Sequence, residues 1–154
     1  MTTPLDRIDR RILRELQANA RLGNAELARR VALSPAACHR RVQRLFAESF
    51  ITGTSAFIDP AKVDLGILAI IGVVLDRSTP DSFAAFDAAV SELSFVLECY
   101  MVAGDFDYFV KVRVKDVDDF YRLHGERLIA IPGVRQTRTF FVMKSVRENG
   151  PLEF

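Results

Sequence analysis

The clearest structural signal in the chain lies in residues 34–45, SPAACHRRVQRL. Ser34 can cap the free backbone N–H groups at the start of a helix, and Pro35 suits the first helical position, where no donor is needed. The apolar residues that follow lie at i, i+4 and i+7: Cys38, Val42 and Leu45. The stretch therefore predicts a helix that buries this stripe and exposes the polar residues between its members.

Two further helical patterns precede this helix. The apolar residues of the first recur at helical spacing among charged ones: Leu5, Ile8, Ile12, Leu13 and Leu16. The second begins after Gly23, a weak N-cap, and has its own apolar set: Ala25, Leu27, Ala28 and Val31. Only Ala32 and Leu33 separate the second helix from the cap of the third. Two helices joined so tightly predict a helix-turn-helix.

The residue types of this motif favour DNA recognition. An α-helix fits the major groove, where Arg pairs with guanine and Gln with adenine, while other arginines hold phosphates. We expect Arg40, Gln43, Arg44 and His39 to face outward, Ala36 and Ala37 to allow close approach, and Arg29, Arg30 and Arg41 to hold phosphates. The candidate DNA-binding residues are Ser34, Ala36, Ala37, His39, Arg40, Arg41, Gln43, Arg44, Arg29 and Arg30. A solvated helical face that carries arginines is the alternative, and His39 either contacts a base or lies on the surface.

The net charge of +1 hides an asymmetry between two parts of the chain. Up to Phe50 there are ten arginines against five acidic residues, a net charge of +5. From Ile51 onward, eleven Lys and Arg face fifteen Asp and Glu, a net charge of −4. The first part is therefore the candidate for binding a polyanion.

The acidic part of the chain predicts a βαββαβ order. A hinge strand within Phe50–Ile58 comes first, closed by Asp59-Pro60. The predicted elements after it are a strand at Ile67–Leu75, a helix that starts at Thr79-Pro80, strands at Phe95–Ala103 and Tyr108–Lys115, a helix from Val117 to Leu128, and a strand at Thr139–Val146. This order places two helices on one face of an antiparallel sheet, the ferredoxin-like arrangement.

The predicted fold class is α+β. It consists of an N-terminal winged-type helix-turn-helix domain (all-α plus a hinge strand) followed by a ferredoxin-like βαββαβ domain. The predicted boundaries are residues 1–50 for the DNA-binding domain, 51–64 for the hinge strand and linker, and 65–154 for the ferredoxin-like oligomerisation domain, to which the family resemblance given below adds effector binding. In the strand Ile67–Leu75, the residues that point to either face of the sheet are apolar. The second face of the sheet must therefore also be buried against another surface. A second copy around a two-fold axis would supply it, which predicts a homodimer that presents two helix-turn-helix units to two half-sites.

Several functional classes lack their sequence signals. The two cysteines are far apart, and the two histidines are too few for a His-rich metal centre, so no metal or cofactor is predicted. No Ser/His/Asp set, phosphate-binding glycine loop or zinc-ligand cluster is present, so we do not expect an enzyme. No apolar run approaches ~20 residues, and residues 1–10 lack the apolar core of a secretory signal. We therefore expect a cytoplasmic protein.

Six short motifs resemble those of the Lrp/AsnC (feast/famine) transcriptional regulators. The motifs are Leu5–Leu13, Asn24–Leu27 and Leu33–Pro35 in the first part, and Glu98–Tyr100, Gly104–Tyr108 and Pro132–Val134 in the second. Their order and spacing carry the resemblance from about Leu5 to Val146. It implies homodimers that assemble further, commonly into octamers, and an amino acid or related metabolite as effector.

The resemblance also implies an effector site where dimers meet. The site would lie near the turn at Gly104, Asp105 and Asp107, with Ala103 beside it and with Thr137 and Thr139 supplied by a neighbouring subunit. Gly104 lets the backbone approach a small ligand, and a carboxylate at Asp105 or Asp107 can hold an ammonium group. A plain strand-connecting turn is the alternative interpretation.

The chain departs from the family pattern at five positions: Gly23, Ser49, Thr54, Ala103 and His124. Ala103 removes a hydroxyl beside the effector turn, Ser49 replaces a glycine after the third helix, which predicts a differently wound terminus, and His124 is expected to be a packed or interface histidine. Two other functions stay open: an architectural DNA-wrapping protein that ignores small molecules, and an enzyme similar to the siroheme decarboxylases.

Overall fold

The computed structural model describes residues 4–154. Its contacts divide the chain into two compact units. The helical unit contains the residues up to Phe57 together with Arg147–Phe154, and the sheet unit is Ile58–Val146. The contacts therefore group residues 147–154 with the helices, whereas the sequence analysis placed them in the sheet domain. Local patterns carry no signal for such a grouping, because it depends on side chains of the first helix more than 130 residues away.

Three helices form the helical unit: α1 (Arg7–Ala18), α2 (Asn24–Arg30) and α3 (Pro35–Ala47). The Ser34 hydroxyl accepts from the Ala37 N–H at 3.3 Å and Pro35 opens α3, which confirms the predicted start. Cys38 and Leu45 are fully buried and Val42 is half-buried, as the stripe predicts. They pack with Ile12, Leu27, Ala28 and Val31 in one apolar core.

The ends of these helices carry two of the departures noted in the sequence. Gly23 caps α2 without a side-chain hydrogen bond. Ser49, after α3, has a φ of +59°, in the left-handed region that glycine adopts most easily. Ser49 thus adopts the left-handed conformation that is typical of a glycine after a helix, and the differently wound terminus stays a prediction.

The predicted hinge strand is absent from the single chain. Residues 52–59 have no regular secondary structure, and a 3₁₀ turn follows at Pro60–Val63. A strand requires a hydrogen-bonded neighbour, and the four strands described below pair with one another rather than with this segment. The described part of the helical unit thus contains neither a hinge strand nor the strands of a wing.

The sheet unit has the predicted βαββαβ order. Its elements are β1 (Ile67–Leu75), α4 (Pro80–Ser91), β2 (Val96–Met101), β3 (Tyr108–Val114), α5 (Val117–Leu123) with a π-helical turn at His124–Leu128, and β4 (Val134–Phe141). The strand order is β2-β3-β1-β4, and every pair is antiparallel, which confirms the ferredoxin-like arrangement. The predicted bounds of the last strand were wrong: Thr137 already lies opposite Val73 in the ladder, so β4 begins before Thr139.

The two faces of the sheet are covered differently. On one face, Ile71 and Val73 of β1 and Val110 of β3 are at most 1% exposed and pack with Phe86 of α4 and Leu128. The opposite face carries an aromatic cluster: Phe106, Phe109 and Phe140, with ring centroids 5.3 and 6.3 Å from that of Phe106. A Cβ added at Gly72 would lie 2.6 Å from the Phe106 ring, so only glycine admits this contact. This second face remains partly exposed at Phe140.

Candidate DNA-binding surface and effector turn

Helix α3 exposes one face whose residues are four of the predicted DNA contacts. Ala36, His39, Arg40 and Gln43 are spaced at i, i+3, i+4 and i+7 and are all exposed, so they share one side of the helix. Ser34 is exposed at the N-terminal end of this face, and Ala37 is half-buried beside it. The arrangement places the free helix N-terminus, small side chains, a guanidinium and an amide along one surface.

Arg41 and Arg44 lie beside this face, on the flank of α3 that contacts α1. The Arg41 Nη1 is 2.6 Å from an Asp6 oxygen and 2.8 Å from Asp9 Oδ1, and the Arg44 Nη2 is 2.5 Å from Asp9 Oδ2. Asp9 is 1% exposed, and the Arg44 Nε is buried without a partner within residues 4–154. The prediction that Arg44 faces outward is therefore wrong, because the buried carboxylate draws its guanidinium inward.

The two aspartates also start helix α1. Asp6 accepts from the Asp9 N–H at 2.7 Å, and Asp9 accepts from the Asp6 N–H at 3.1 Å, which forms a reciprocal capping box. The backbone hydrogen bond from Asp9 and the ion pair with Arg41 lower the pKa of Asp6 to about 2. The box and the two arginines together define the Asp9 network: Asp6, Asp9, Arg41 and Arg44. It joins the N-terminus of α1 to the middle of α3.

Arg29 and Arg30 of α2 take part in a surface ion-pair group. Both guanidinium groups lie 2.8 Å from Glu26, and Arg30 also lies 2.9 Å from Glu15. The hydrogen bonds from Arg29 and then Arg30 lower the pKa of Glu26 to about 2. The Arg29 side chain is 75% exposed. Such exposed pairs are weak, so Arg29 can turn toward a phosphate at little cost.

The predicted effector turn joins β2 to β3. Gly104 has a φ of +141° and is exposed, as are Ala103 and Asp105. Asp107 instead belongs to the framework: its carboxylate accepts from the Leu75 N–H at 2.8 Å, and its N–H donates to the Val73 carbonyl at 2.9 Å. Asp107 therefore fastens the turn to the end of β1, which leaves Asp105 as the exposed carboxylate of the turn.

Thr137 and Thr139 lie on β4, opposite Val73 and Ile71 of β1. The Thr137 hydroxyl is 2.9 Å from the His124 Nε2, and the His124 ring stacks on Phe120 with centroids 5.0 Å apart. Burial lowers the pKa of His124, which agrees with the expectation of a packed histidine. Because Asp107 and Thr137 both contact Val73, the fold brings the turn and β4 to either side of the same residue.

Sequence reasoning missed the structural role of two acidic residues. The sequence analysis gave neither Asp6 nor Asp9 a partner on α3, whereas both bind arginines there and so determine which arginines of α3 are available. The available signal was their spacing, because two aspartates three residues apart at a helix start form a capping box. No local pattern indicates the arginines that pair with them, since they lie 35 residues further along the chain.

Within residues 4–154, no three His, Cys, Asp or Glu side chains are grouped as metal ligands. In the same range, every helix is too short or too polar to cross a bilayer.

Two protein families match the chain. Residues 5–45 match the AsnC-type helix-turn-helix domain, and residues 68–152 match the Lrp/AsnC ligand binding domain. The leucine-responsive regulatory protein of Salmonella typhimurium is 46% identical over 148 residues, which span 96% of this chain and 90% of that protein. The protein of the same name from Escherichia coli K12 is 45% identical over the same shares.

Solved structures agree with the sequence matches. A transcriptional regulator of Neisseria meningitidis in complex with L-Met superimposes with a TM-score of 0.90 and 34% identity, over 97% of each chain. The feast or famine regulatory protein of M. tuberculosis complexed with L-methionine gives a TM-score of 0.86 and 33% identity, over 94% of this chain and 96% of that one. The chain therefore belongs to the Lrp/AsnC family, whose members are transcriptional regulators rather than enzymes.

Proposed function

We propose that this protein is a sequence-specific DNA-binding transcriptional regulator, whose DNA binding or assembly responds to an amino acid or related metabolite. The observation that carries the DNA-binding half is the exposed face of α3. That face combines small residues at its start with a guanidinium at Arg40 and an amide at Gln43, the groups that pair bidentately with guanine and adenine. A protein that binds DNA must lie in the compartment that holds the DNA. We therefore propose a cytoplasmic location.

The structure supports a division of labour among the predicted DNA contacts. Arg40, Gln43, His39 and Ala36 are the proposed base-reading set, with Ser34 and Ala37 at the helix start. Arg29 and Arg30 are the proposed phosphate contacts, because their guanidinium groups sit in exposed pairs. Arg41 and Arg44 act through the Asp9 network as positioning residues that fix the orientation of α3.

Replacement of Arg40 tests the base-reading role. Arg40→Ala is expected to weaken binding to an operator selected in vitro by ~1–3 kcal/mol, because it removes a bidentate contact. Arg10→Ala is the matched control, since it removes the same charge from exposed α1. Fluorescence anisotropy with selected and scrambled duplexes would separate the loss of a base contact from the loss of a positive charge. An equal loss on both duplexes would assign Arg40 to a phosphate instead.

The effector half of the proposal rests on the turn and on the relatives. Gly104 offers an open backbone, Asp105 an exposed carboxylate, and two structural relatives are described as complexes with L-Met or L-methionine. We propose that an α-amino acid binds here, with Ala103, Gly104 and Asp105 from one subunit and Thr137 and Thr139 from a neighbour. Asp107 holds the turn in place.

Calorimetric titration with L-methionine and L-leucine tests this half. The wild type is expected to bind one of them, and Asp105→Ala to bind it more weakly with unchanged operator affinity. The architectural alternative predicts no heat with either amino acid and no change in operator binding when they are added.

The assembly is proposed from the second face of the sheet. The cluster of Phe106, Phe109 and Phe140 is partly exposed, and an apolar face of this kind needs cover. A second copy of the sheet would cover it and give the homodimer, and further assembly to an octamer would place effector turns where dimers meet. Sedimentation equilibrium tests this directly: a monomer at micromolar concentration contradicts it.

A further inference from the structure

The chain returns to the helical unit after the sheet unit ends. Residues 147–154 group with the helical unit, and Leu152 and Phe154 of this segment contact α1. The Gln17 side chain makes a reciprocal pair with the backbone of Leu152: its Nε2 donates to the Leu152 carbonyl at 2.9 Å, and its Oε1 accepts from the Leu152 N–H at 3.1 Å. A side-chain amide that pairs in this way supplies one donor and one acceptor to an extended backbone, as a neighbouring strand does in a sheet.

A second side chain of α1 holds the next residues of the segment. The Arg14 Nη2 donates to the Phe154 carbonyl, and the Arg14 guanidinium lies 5.6 Å from the centroid of the Phe154 ring. Arg14 and Gln17 are three residues apart, so both project from the same side of α1. Hydrogen bonds and a cation–π contact therefore act on two consecutive parts of the segment.

The path of the segment is also shaped before it reaches α1. Asn149 has a φ of +50°, a left-handed conformation that asparagine tolerates better than most residues. Gly150 follows, where an added Cβ would lie 2.6 Å from the Arg147 Nε, and Pro151 then restricts the backbone. Three consecutive residues thus form a turn that directs Leu152 toward Gln17.

We propose that Arg14 and Gln17 of α1 form a binding site for an extended backbone and that its occupant is the Leu152–Phe154 segment of the same chain. The helical unit is then attached to the sheet unit at two points, through Phe57 and through Arg147. Only residues 142–146 lie between the end of β4 and the second attachment. The second attachment restricts how the helix-turn-helix moves, which goes beyond the proposed function.

Hydrogen exchange of the Leu152 amide tests the site. In the wild type this amide is expected to exchange slowly, because it donates to Gln17. Gln17→Leu removes both hydrogen bonds from an exposed position and should raise its exchange rate about tenfold. Glu153→Ala, in the same segment, is the matched control and should leave the rate unchanged. Equal rates in the three proteins would overturn the proposal.

Dilution identifies the occupant. Protection that does not depend on protein concentration supports the segment of the same chain. Protection that disappears on dilution assigns the occupant to a second copy and overturns the proposal. Neither measurement involves DNA or an effector, so both stand if the proposed function fails.

Operator affinity tests the restraint. A helical unit that has lost one attachment has more conformational freedom before it binds DNA, and it must give up that freedom on binding. Gln17→Leu should therefore weaken affinity for the selected operator severalfold. Glu153→Ala should not change it. Equal affinities in the two variants would overturn the restraining role, even where the exchange experiment supports the contact.

Discussion

The helical unit and the sheet unit are stabilised by different kinds of interaction. Among the described residues, the buried core of the helical unit has six apolar members, and the carboxylate of Asp9 lies beside them with two arginines bound to it. The core of the sheet unit has thirteen members, and its polar group, the Tyr108 hydroxyl, is satisfied by Asp87 at 2.8 Å. A small core gains little from apolar burial, so ion pairs in the helical unit fix the geometry of its helices.

The arginines of the helical unit differ in what they bind and in how exposed they are. Their number suggests an extended DNA-binding surface, but two of the three arginines in α3, Arg41 and Arg44, are bound to aspartates of α1. In this unit, charge serves both folding and recognition. In the sheet unit, folding depends mainly on apolar residues, and polar residues such as Asp105 lie exposed outside the core.

Removal of the buried carboxylate would test this difference most strongly. Asp9→Ala leaves Arg44 without its partner and removes half of the capping box, so we expect a loss of about 3–5 kcal/mol in the unfolding free energy of the helical unit. Hydrogen exchange of the α3 amides measures it without assuming that both units unfold together. Asp105→Ala is the control. A loss below ~1 kcal/mol would mean that the network does not hold α3.

The corresponding change in the sheet unit is a core truncation. Ile71 is 1% exposed, and Ile71→Ala should cost about 2–4 kcal/mol because it removes apolar contacts and leaves a cavity. The loss should be insensitive to salt, in contrast to effects on exposed ion pairs. Hydrogen exchange of β1 and β3 at low and high salt measures this loss. A marked salt dependence would show that ion pairs, and not only apolar packing, stabilise the sheet unit.

A stabilising substitution tests the end of α3. Ser49 occupies the left-handed region, so Ser49→Gly should raise the stability of the helical unit by about 0.5–1 kcal/mol. The control is Gly23→Ser, which supplies the missing cap of α2 and should gain a few tenths of a kcal/mol. Thermal unfolding followed by circular dichroism measures both, and a loss on Ser49→Gly would show that the serine side chain has an unseen role.

Acid should affect the helical unit through Asp6. Its pKa in the folded state is about 2, below the ordinary value of 3.8, so the ionised form stabilises the fold. This contribution is complete above about pH 4 and is lost as the pH falls toward 2. Because Asp6 is nearly half exposed, we expect less than about 1 kcal/mol. Asp6→Asn should flatten this part of the pH profile, and an unchanged profile would contradict the ion pair.

The sequence was informative wherever local chemistry determines structure. The cap at Ser34, the stripe of α3 and the bounds of β1 all follow from neighbouring residues, and each is confirmed. The start of β4 was missed because Arg135 and Arg138 interrupt its apolar pattern, while pairing with β1 determines its register. The hinge strand was predicted but is absent for a related reason. Residues with high β propensity form a strand only where a neighbouring strand pairs with them.

The candidate site was predictable only in part. The exposed residues of α3 follow from helical periodicity, and the turn at Gly104 follows from its composition. The inward position of Arg44 and the anchoring of Asp107 depend on partners about 30 residues away in sequence. Contacts at that separation leave no mark on a local pattern, so an arginine that pairs with a carboxylate looks the same as one that is free.

The exposed face of α3 and its ion pairs with α1 use different residues, and this has an evolutionary consequence. The residues at positions 36, 39, 40 and 43 contribute nothing to the buried core, so they can be exchanged without loss of the fold, while the aspartates of α1 preserve the angle at which the helix is presented. A gene duplicate could therefore acquire a new target sequence through a few substitutions at these positions, without first accumulating compensatory mutations elsewhere.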